Sequence, residues 1–412
     1  MRRRRWLARL AFVLAFIATI WAGGPGGLAT AAAPRYSVEV RPELELLAGV
    51  LAQTSWMKVG HPEGTGSAYF GALKGFFSRY RDHEAIRLAE ALTRDGFAYD
   101  APPTFILHLG PLPDLNLVYD YDDYLVQRAG GRDRLEAFRL ALKDLAARSG
   151  FSDFVVRWRD EYSEWVNGTT FDGEKVIDWL EAFFGAEASE YHVVLAPSLF
   201  PGGGYGPLLT GTGGERLVFQ IVRAQGSSSG DPDLPTGPEL EAQAIHEWGH
   251  SFVNPALAPD RSRLEALGFL FQPVRRAMRR MAYTDPVTFF NEQVLRAVTS
   301  LAAEDRGVPM IYIYERFKAR AVIASHSDVE TAIRYNESLG FYLTREVVAI
   351  LREYQDNRNL YPDFQSFVPR LLDGLAGCEP KKLSHSTGDI VLLLLGVYVL
   401  GRVDLLLLRR MR

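Results

Sequence analysis

At 412 residues with 47% hydrophobic side chains, the chain can bury a substantial core and is not a disordered polymer. A formal net charge of -4 leaves no basic excess to neutralise phosphates, which argues against nucleic-acid binding as a global function. The single cysteine, Cys378, excludes an internal disulfide, so an exported chain must be stabilised by its core, with a bound metal as an optional further contribution.

The first segment reads as an export leader. Arg2 to Arg5 form a basic start, Leu10 to Ala22 an apolar run, and "LATAAAP" a stretch of small residues with a cut expected before Ala32. This assigns residues 1–31 to a signal peptide, and a retained membrane anchor is the alternative. Removing the leader takes away five arginines and no acid, leaving a secreted or periplasmic chain of charge -9.

Residues 34–190 read as a mainly helical N-terminal region. From Pro42 to Gly96 apolar residues recur at three- and four-residue spacing, as in "ELELLAGVLAQ" and "HEAIRLAEALTRDG". "PPTFILHLGPL" (Pro102 to Leu112) is expected to be a short buried strand between prolines, and "DRLEAFRLALKDLAARSG" an amphipathic helix closing on Gly150. More helix follows through "VIDWLEAFFG".

The pattern changes at Tyr191. "YHVVLAPSLF" and "ERLVFQIVRA" read as strands joined by the glycine-rich loop "PGGGYGPLLTGTGG", and "QGSSSGDPDLPTGP" (Gln225 to Pro238) reads as a flexible connection. Either strand could offer an edge to an extended peptide. Helix then continues from Arg261 to Leu372, with turns near Pro273, Pro286 and Pro309. Residues 191–375 are assigned to a catalytic domain and 376–412 to a tail. The tail's apolar run, Ile390 to Leu400, is too short for a clean membrane span. It reads as a buried strand or partner-covered segment, with weak membrane association as the alternative.

The chemistry is concentrated in "GPELEAQAIHEWGHSFVNP", which predicts a helix from Pro238 to about Val253 ending at Asn254-Pro255. His246 and His250 then lie one turn apart on one face, where two imidazoles can converge on one ion, and Glu247 projects beside them without having to ligate. This is the H-E-x-x-H pattern of zinc peptidases. A glycine and a third histidine, which would extend it to the metzincin pattern, are replaced by Val253 and Ala256, so a downstream acid must complete the site. Glu292 in "FFNEQVLRAVTS" is the first candidate, Glu265 the second, with Asp260 and Glu304 behind them. Glu292 and Arg296 could instead form an ordinary solvated pair four residues apart. The other histidines, His61, His83, His108, His192 and His385, lack a partner at ligand spacing and default to structural or solvated roles.

His246, Glu247, His250 and the later Asn291-Glu292 resemble the gluzincin arrangement of thermolysin-like peptidases. More closely, "HEWGHSFVNP", "RYRDHEAI", "NEQVLRAV" and "YPDFQSFVP" together resemble an uncharacterised bacterial family of predicted exported zinc peptidases, over a span from about Glu43 to Leu372. The 41 residues between His250 and Glu292 exceed the usual gluzincin interval and imply an inserted element around Arg261 to Pro286.

The resemblance implies an α+β, predominantly helical chain with a zincin-like catalytic domain and a small sheet beside the motif helix. It implies one Zn2+ held by His246, His250 and Glu292, and Glu247 as general base in peptide-bond hydrolysis. The oxyanion donor is expected to be a Tyr or His from elsewhere, with Tyr335, Tyr354, Tyr361 and His326 as the candidates. The expected partner is a peptide or protein substrate, not nucleic acid. A catalytically silent zinc-containing binding protein and a zinc amidase acting on cell-wall links are the alternative functions.

Overall fold

The computed structural model describes residues 34–56, 67–199, 204–224, 227–228, 230–307, 313–316, 319–322 and 328–380. The leader and the apolar part of the tail lie outside them, as do His61, His326, His385 and parts of the 225–238 loop. Among the described residues no helix is long and apolar enough to cross a membrane.

The fold is α+β and predominantly helical, built around one small mixed sheet. Strands β1 (Tyr36–Val40), β2 (Glu190–Ala196) and β5 (Arg216–Arg223) run parallel in the order β1-β2-β5. Two short strands, β3 (Gly204–Tyr205) and β4 (Leu208–Thr210), pair antiparallel with β5. The stretch expected to be only a loop therefore supplies an edge. Both long strands are interior, since β2 lies between β1 and β5, and β5 between β2 and the β3 and β4 pieces. The expectation that one of them offers an edge is thus corrected: each has a strand on both sides and helices on both faces, which requires the near-continuous apolar runs these two segments carry.

Alternating residues of β2 and β5 feed two separate cores, as a two-residue side-chain period demands. Tyr191, Val193, Leu195, Val218 and Val222 face one core, together with the helix Gly173–Phe184, the motif helix Pro238–Leu257, the helix Pro286–Arg306 and the two C-terminal helices, Thr344–Asp356 and Phe364–Ala376. Val194, Ala196, Phe219 and Ile221 face the other, formed by the helices between Pro42 and Arg157. The sheet is thus covered on both faces.

The segment at Pro102 is a helix, Ala101–Leu107, and not a strand. Its two prolines occupy the first turn, where the missing N–H groups would have no partner, and its whole apolar run is buried. A short apolar run between prolines does not separate a buried strand from a buried helical turn. Only Leu109 keeps strand character, in a single bridge to Leu117.

The motif helix also runs further than its sequence suggests, to Leu257, with Pro255 inside it. A proline there leaves the Ser251 carbonyl without its helical donor. Arg216 fills the gap, donating from Nη2 to Ser251 O at 2.8 Å. Sequence periodicity along one helix cannot announce a donor that arrives from a neighbouring strand.

Candidate metal centre

Four contacts position the motif helix. It starts at Gly237, whose φ of 57° suits glycine, and Pro238 takes the first helical position. The Gly237 amide donates to Thr170 O at 2.5 Å, tying the start to the segment before the helix Gly173–Phe184. Trp248, fully buried among Tyr36, Phe171 and Tyr191, donates from Nε1 to His192 O at 3.3 Å and pins the helix to β2. Phe252 stacks on Phe184 with centroids 4.9 Å apart.

The second helix, Pro286–Arg306, begins with Asp285 capping Thr288 N at 3.0 Å and Pro286 at the first position. It can approach the motif helix closely because Gly249 carries no side chain. A Cβ there would stand 2.6 Å from Leu295 Cδ1, well inside contact distance. Leu295 lies just under one turn beyond Glu292, so this close crossing brings Glu292 to the face that carries His246 and His250.

The three side chains converge. His246 Nε2 lies 3.6 Å from Glu292 Oε1, and His250 Nε2 lies 3.6 Å from Glu292 Oε2. All three ligand atoms sit within 4.8 Å of one another, and this is the one such group of His, Cys, Asp and Glu found among the described residues. Those separations are too long for hydrogen bonds. They are near the roughly 3.3 Å edge of a tetrahedron with bonds of about 2.0–2.1 Å, the geometry of an imidazole and carboxylate site. Glu292 is 4% exposed and each histidine 20%, which places the carboxylate at the floor and the rings at the mouth.

Electrostatics suits the same reading. Burial holds His246 well below the usual imidazole range, at about 3, so its ring is neutral and its nitrogen lone pair available. Burial pushes the Glu292 carboxyl up, but Arg296 first, then His246, His250 and Tyr283, outweigh it and bring it to about 2. A neutral imidazole beside an ionised carboxylate is the donor set that a metal ion needs. These residues fit a metal.

Arg296 is the strongest local partner of Glu292. Its Nε lies 2.6 Å from Glu292 Oε1, the carboxylate being buried and the arginine half-buried, Nη1 donates to Asn336 Oδ1 at 3.0 Å, and the guanidinium lies 4.4 Å over the Phe341 ring. The Glu292–Arg296 pair foreseen as a solvated alternative does form, but beneath the surface and behind the converging trio. Tyr283, preceded by Ala282 at φ 72°, feels the charges of Glu292 and Arg296. On the motif helix, His250 Nδ1 faces Asn254 Oδ1 at 3.5 Å, leaving Nε2 directed at the site.

Glu247 projects to the edge of the sheet. A Cβ at Gly204 would stand 2.6 Å from Glu247 Oε1, and one at Gly206 would stand 1.9 Å from the Glu247 carbonyl oxygen. Only glycine lets the β3 segment lie this close to the helix. Burial pushes the Glu247 carboxyl up to about 8, Glu292 adds to the rise, and Asp100 from the opposite helical layer contributes as well. Tyr205, buried next to Gly204 and Gly206, feels the charges of Asp100, Arg223 and Glu247.

The runner-up acids are elsewhere. Glu265 pairs with Arg261 at 2.9 Å, Asp260 with Arg263 at 3.7 Å and Glu304 with Arg352 at 2.9 Å, and none joins the trio. Three short helices, Arg261–Ala266, Gly268–Phe271 and Arg275–Arg280, occupy the chain between the two site helices. Of the tyrosines considered as oxyanion donors, Tyr354 is packed among Phe183, Phe364 and Phe367, and Tyr361 packs on Phe367. The tyrosines that reach the site's charges are Tyr205 and Tyr283. The sequence offers no local signal for them, because Tyr205 arrives on the short strand β3 and Tyr283 on the connection before the second site helix. Three of the remaining histidines have structural settings: His83 caps a helix, His108 is buried and His192 bonds Ser37 on the sheet.

A family model described as a domain of unknown function, DUF4932, matches residues 38–373. The chain belongs to this family. The DUF4932 match runs from β1 to the helix Phe364–Ala376, and so takes in the sheet, both helical layers and all three converging side chains. No curated protein and no solved structure is significantly similar to the chain.

Proposed function

We propose that this DUF4932 protein is an exported zinc-dependent peptidase with His246, His250 and Glu292 as metal ligands and Glu247 as general base. The observation that carries the reading is the approach of both Nε2 atoms to the two oxygens of one buried carboxylate, with a second glutamate next in sequence to a ligand. Three protein ligands leave a fourth position open, as hydrolytic zinc sites do. Zinc fits two imidazoles and a carboxylate better than the oxygen-preferring magnesium or calcium.

A bound zinc ion supplies a Lewis acid that acidifies water and polarises a carbonyl. The chain's residues supply the rest. Glu247 ionises more readily beside a dication than its burial alone allows, accepts a proton from the attacking water and returns it to the departing amine. Among the described residues β3 pairs with β5 at the end of the sheet, where an extended peptide could add next to Glu247. Tyr205, beside that edge, can donate a hydrogen bond to a carbonyl turned into the cleft.

The test combines zinc-loaded wild type and Glu247→Gln on a mixed peptide library and on muropeptides. Peptide cleavage by wild type alone supports the proposal. Cleavage of muropeptides only would favour the amidase function, and stoichiometric zinc with no cleavage of either would favour a binding protein.

A further inference from the structure

The short helix Arg275–Arg280 carries four arginines, Arg275, Arg276, Arg279 and Arg280, all exposed. At 3.6 residues per turn these positions span an arc of about 140°, so the four guanidiniums share one face. The opposite face is apolar and fixed to the body of the protein, with Met278 and Val274 buried. Among the described residues no acid lies within ion-pair distance of any of the four. The only side-chain hydrogen bond they make is from Arg280 Nε to Arg276 O at 3.2 Å.

Many arginines elsewhere on the surface are paired with acids. Arg35 reaches Glu174, Asp178 and Glu181, Arg345 reaches Glu330, Arg352 reaches Glu304 and Arg370 reaches Glu353. Like charges four residues apart on a helix repel, and Arg275–Arg279 and Arg276–Arg280 are two such pairs. A chain with a net charge of -4 has acids in excess, yet places none here. Close by in sequence, Phe269 leaves 44% of its surface exposed, one of few large apolar side chains to do so. Guanidinium groups match phosphate oxygens in a fork geometry, and an exposed aromatic ring suits the headgroup region of a bilayer.

We propose that the Arg275–Arg280 face, with Phe269, docks the protein peripherally on a membrane rich in anionic phospholipid. A bilayer is favoured over nucleic acid because it asks for one basic face only, whereas wrapping a polynucleotide would bring the acidic remainder of the chain against phosphates. The inference does not depend on the metal.

Full-length protein is sedimented with vesicles of phosphatidylcholine alone and with vesicles containing roughly one third phosphatidylglycerol, at low salt and at about 0.5 M salt. Wild type is expected to bind the anionic vesicles at low salt and to be released by salt. Changing all four arginines to glutamine should weaken that binding by roughly a hundredfold or more, each contributing about fivefold. Phe269→Ser should weaken it less. Because the variant removes repulsion, its Tm should equal or exceed that of wild type, which shows that it folds. Equal binding by wild type and the four-arginine variant, equal binding to neutral and anionic vesicles, or tighter binding to a single-stranded oligonucleotide than to vesicles would each overturn the proposal.

Discussion

Glu45 and Glu292 are both buried carboxyls, one in each helical layer, and their surroundings shift them in opposite directions. Glu45 is fully buried, and burial pushes it up to about 7, with Tyr69 and Ser198 only partly offsetting the rise. Glu292 is equally removed from solvent, yet Arg296 and the two histidines bring it down to about 2. Desolvation alone neutralises an acid, and a cation at 2.6 Å keeps it ionised. Glu247 stands between the two cases: it shares the site with Glu292 but lies at about 8, because its largest influence is burial and the nearby carboxylates add to it. The layer that holds Glu45 spends a buried acid on structure, while the layer that holds Glu292 keeps one charged and ready to ligate.

The largest effect expected from breaking this arrangement is at Glu247. If Glu247 has the proposed role of moving protons without ligating, Glu247→Gln should lower peptide hydrolysis by about 10²–10⁴-fold while zinc affinity, measured by calorimetry, stays within a few-fold of wild type. A parallel loss of zinc would make it a ligand.

Glu45 tests the other half of the comparison through pH. Its folded-state pKa of about 7 lies above the ordinary value of 4.5, so the stability it contributes is fully present below about pH 4.5 and lost as pH rises through about 7. The shift corresponds to about 3 kcal/mol. Urea unfolding from pH 5 to 8 should show wild type losing stability over that range, and Glu45→Gln should flatten the loss. An unchanged slope in the variant would mean that Glu45 is not neutral in the folded protein.

Arg296 sharpens the contrast from the side of the ligand. Replacing it with methionine leaves Glu292 buried without its cation and should cost roughly 10- to 100-fold in zinc affinity, with Arg296→Lys recovering part of the loss. If affinity rises instead, Arg296 opposes the ion and does not hold its ligand. The smallest effect is expected at the edge strand. Gly206→Ala forces a Cβ against the Glu247 carbonyl, so the β3 segment must move away, at about 1–3 kcal/mol by thermal or chemical unfolding.

Much of the site was legible from residue spacing. Pro238, His246 and His250 lie on one helix, and Glu292, on a second helical segment, was the first of the candidate acids, ahead of Glu265, Asp260 and Glu304. Local signals end there. Pro255 reads as a helix stop unless Arg216 is known to reach Ser251 O, and "PPTFIL" reads as a strand unless its burial among helices is known. Tyr205, Tyr283 and the closeness of Gly204 and Gly206 to Glu247 depend on chain segments that meet only in the folded protein. The charge state of Glu45 was invisible for the same reason, because nothing within a helix of alternating leucines and glutamates reveals which glutamate turns inward.

The most direct test is zinc titrated by calorimetry into chelator-stripped full-length protein and into Glu292→Gln. The wild type should take up one ion per chain, and the variant should bind at least about a hundredfold more weakly, beyond the loss typical of an outer partner. Wild type that takes up no zinc, or a variant that binds it as tightly, would show that His246, His250 and Glu292 do not form a metal site.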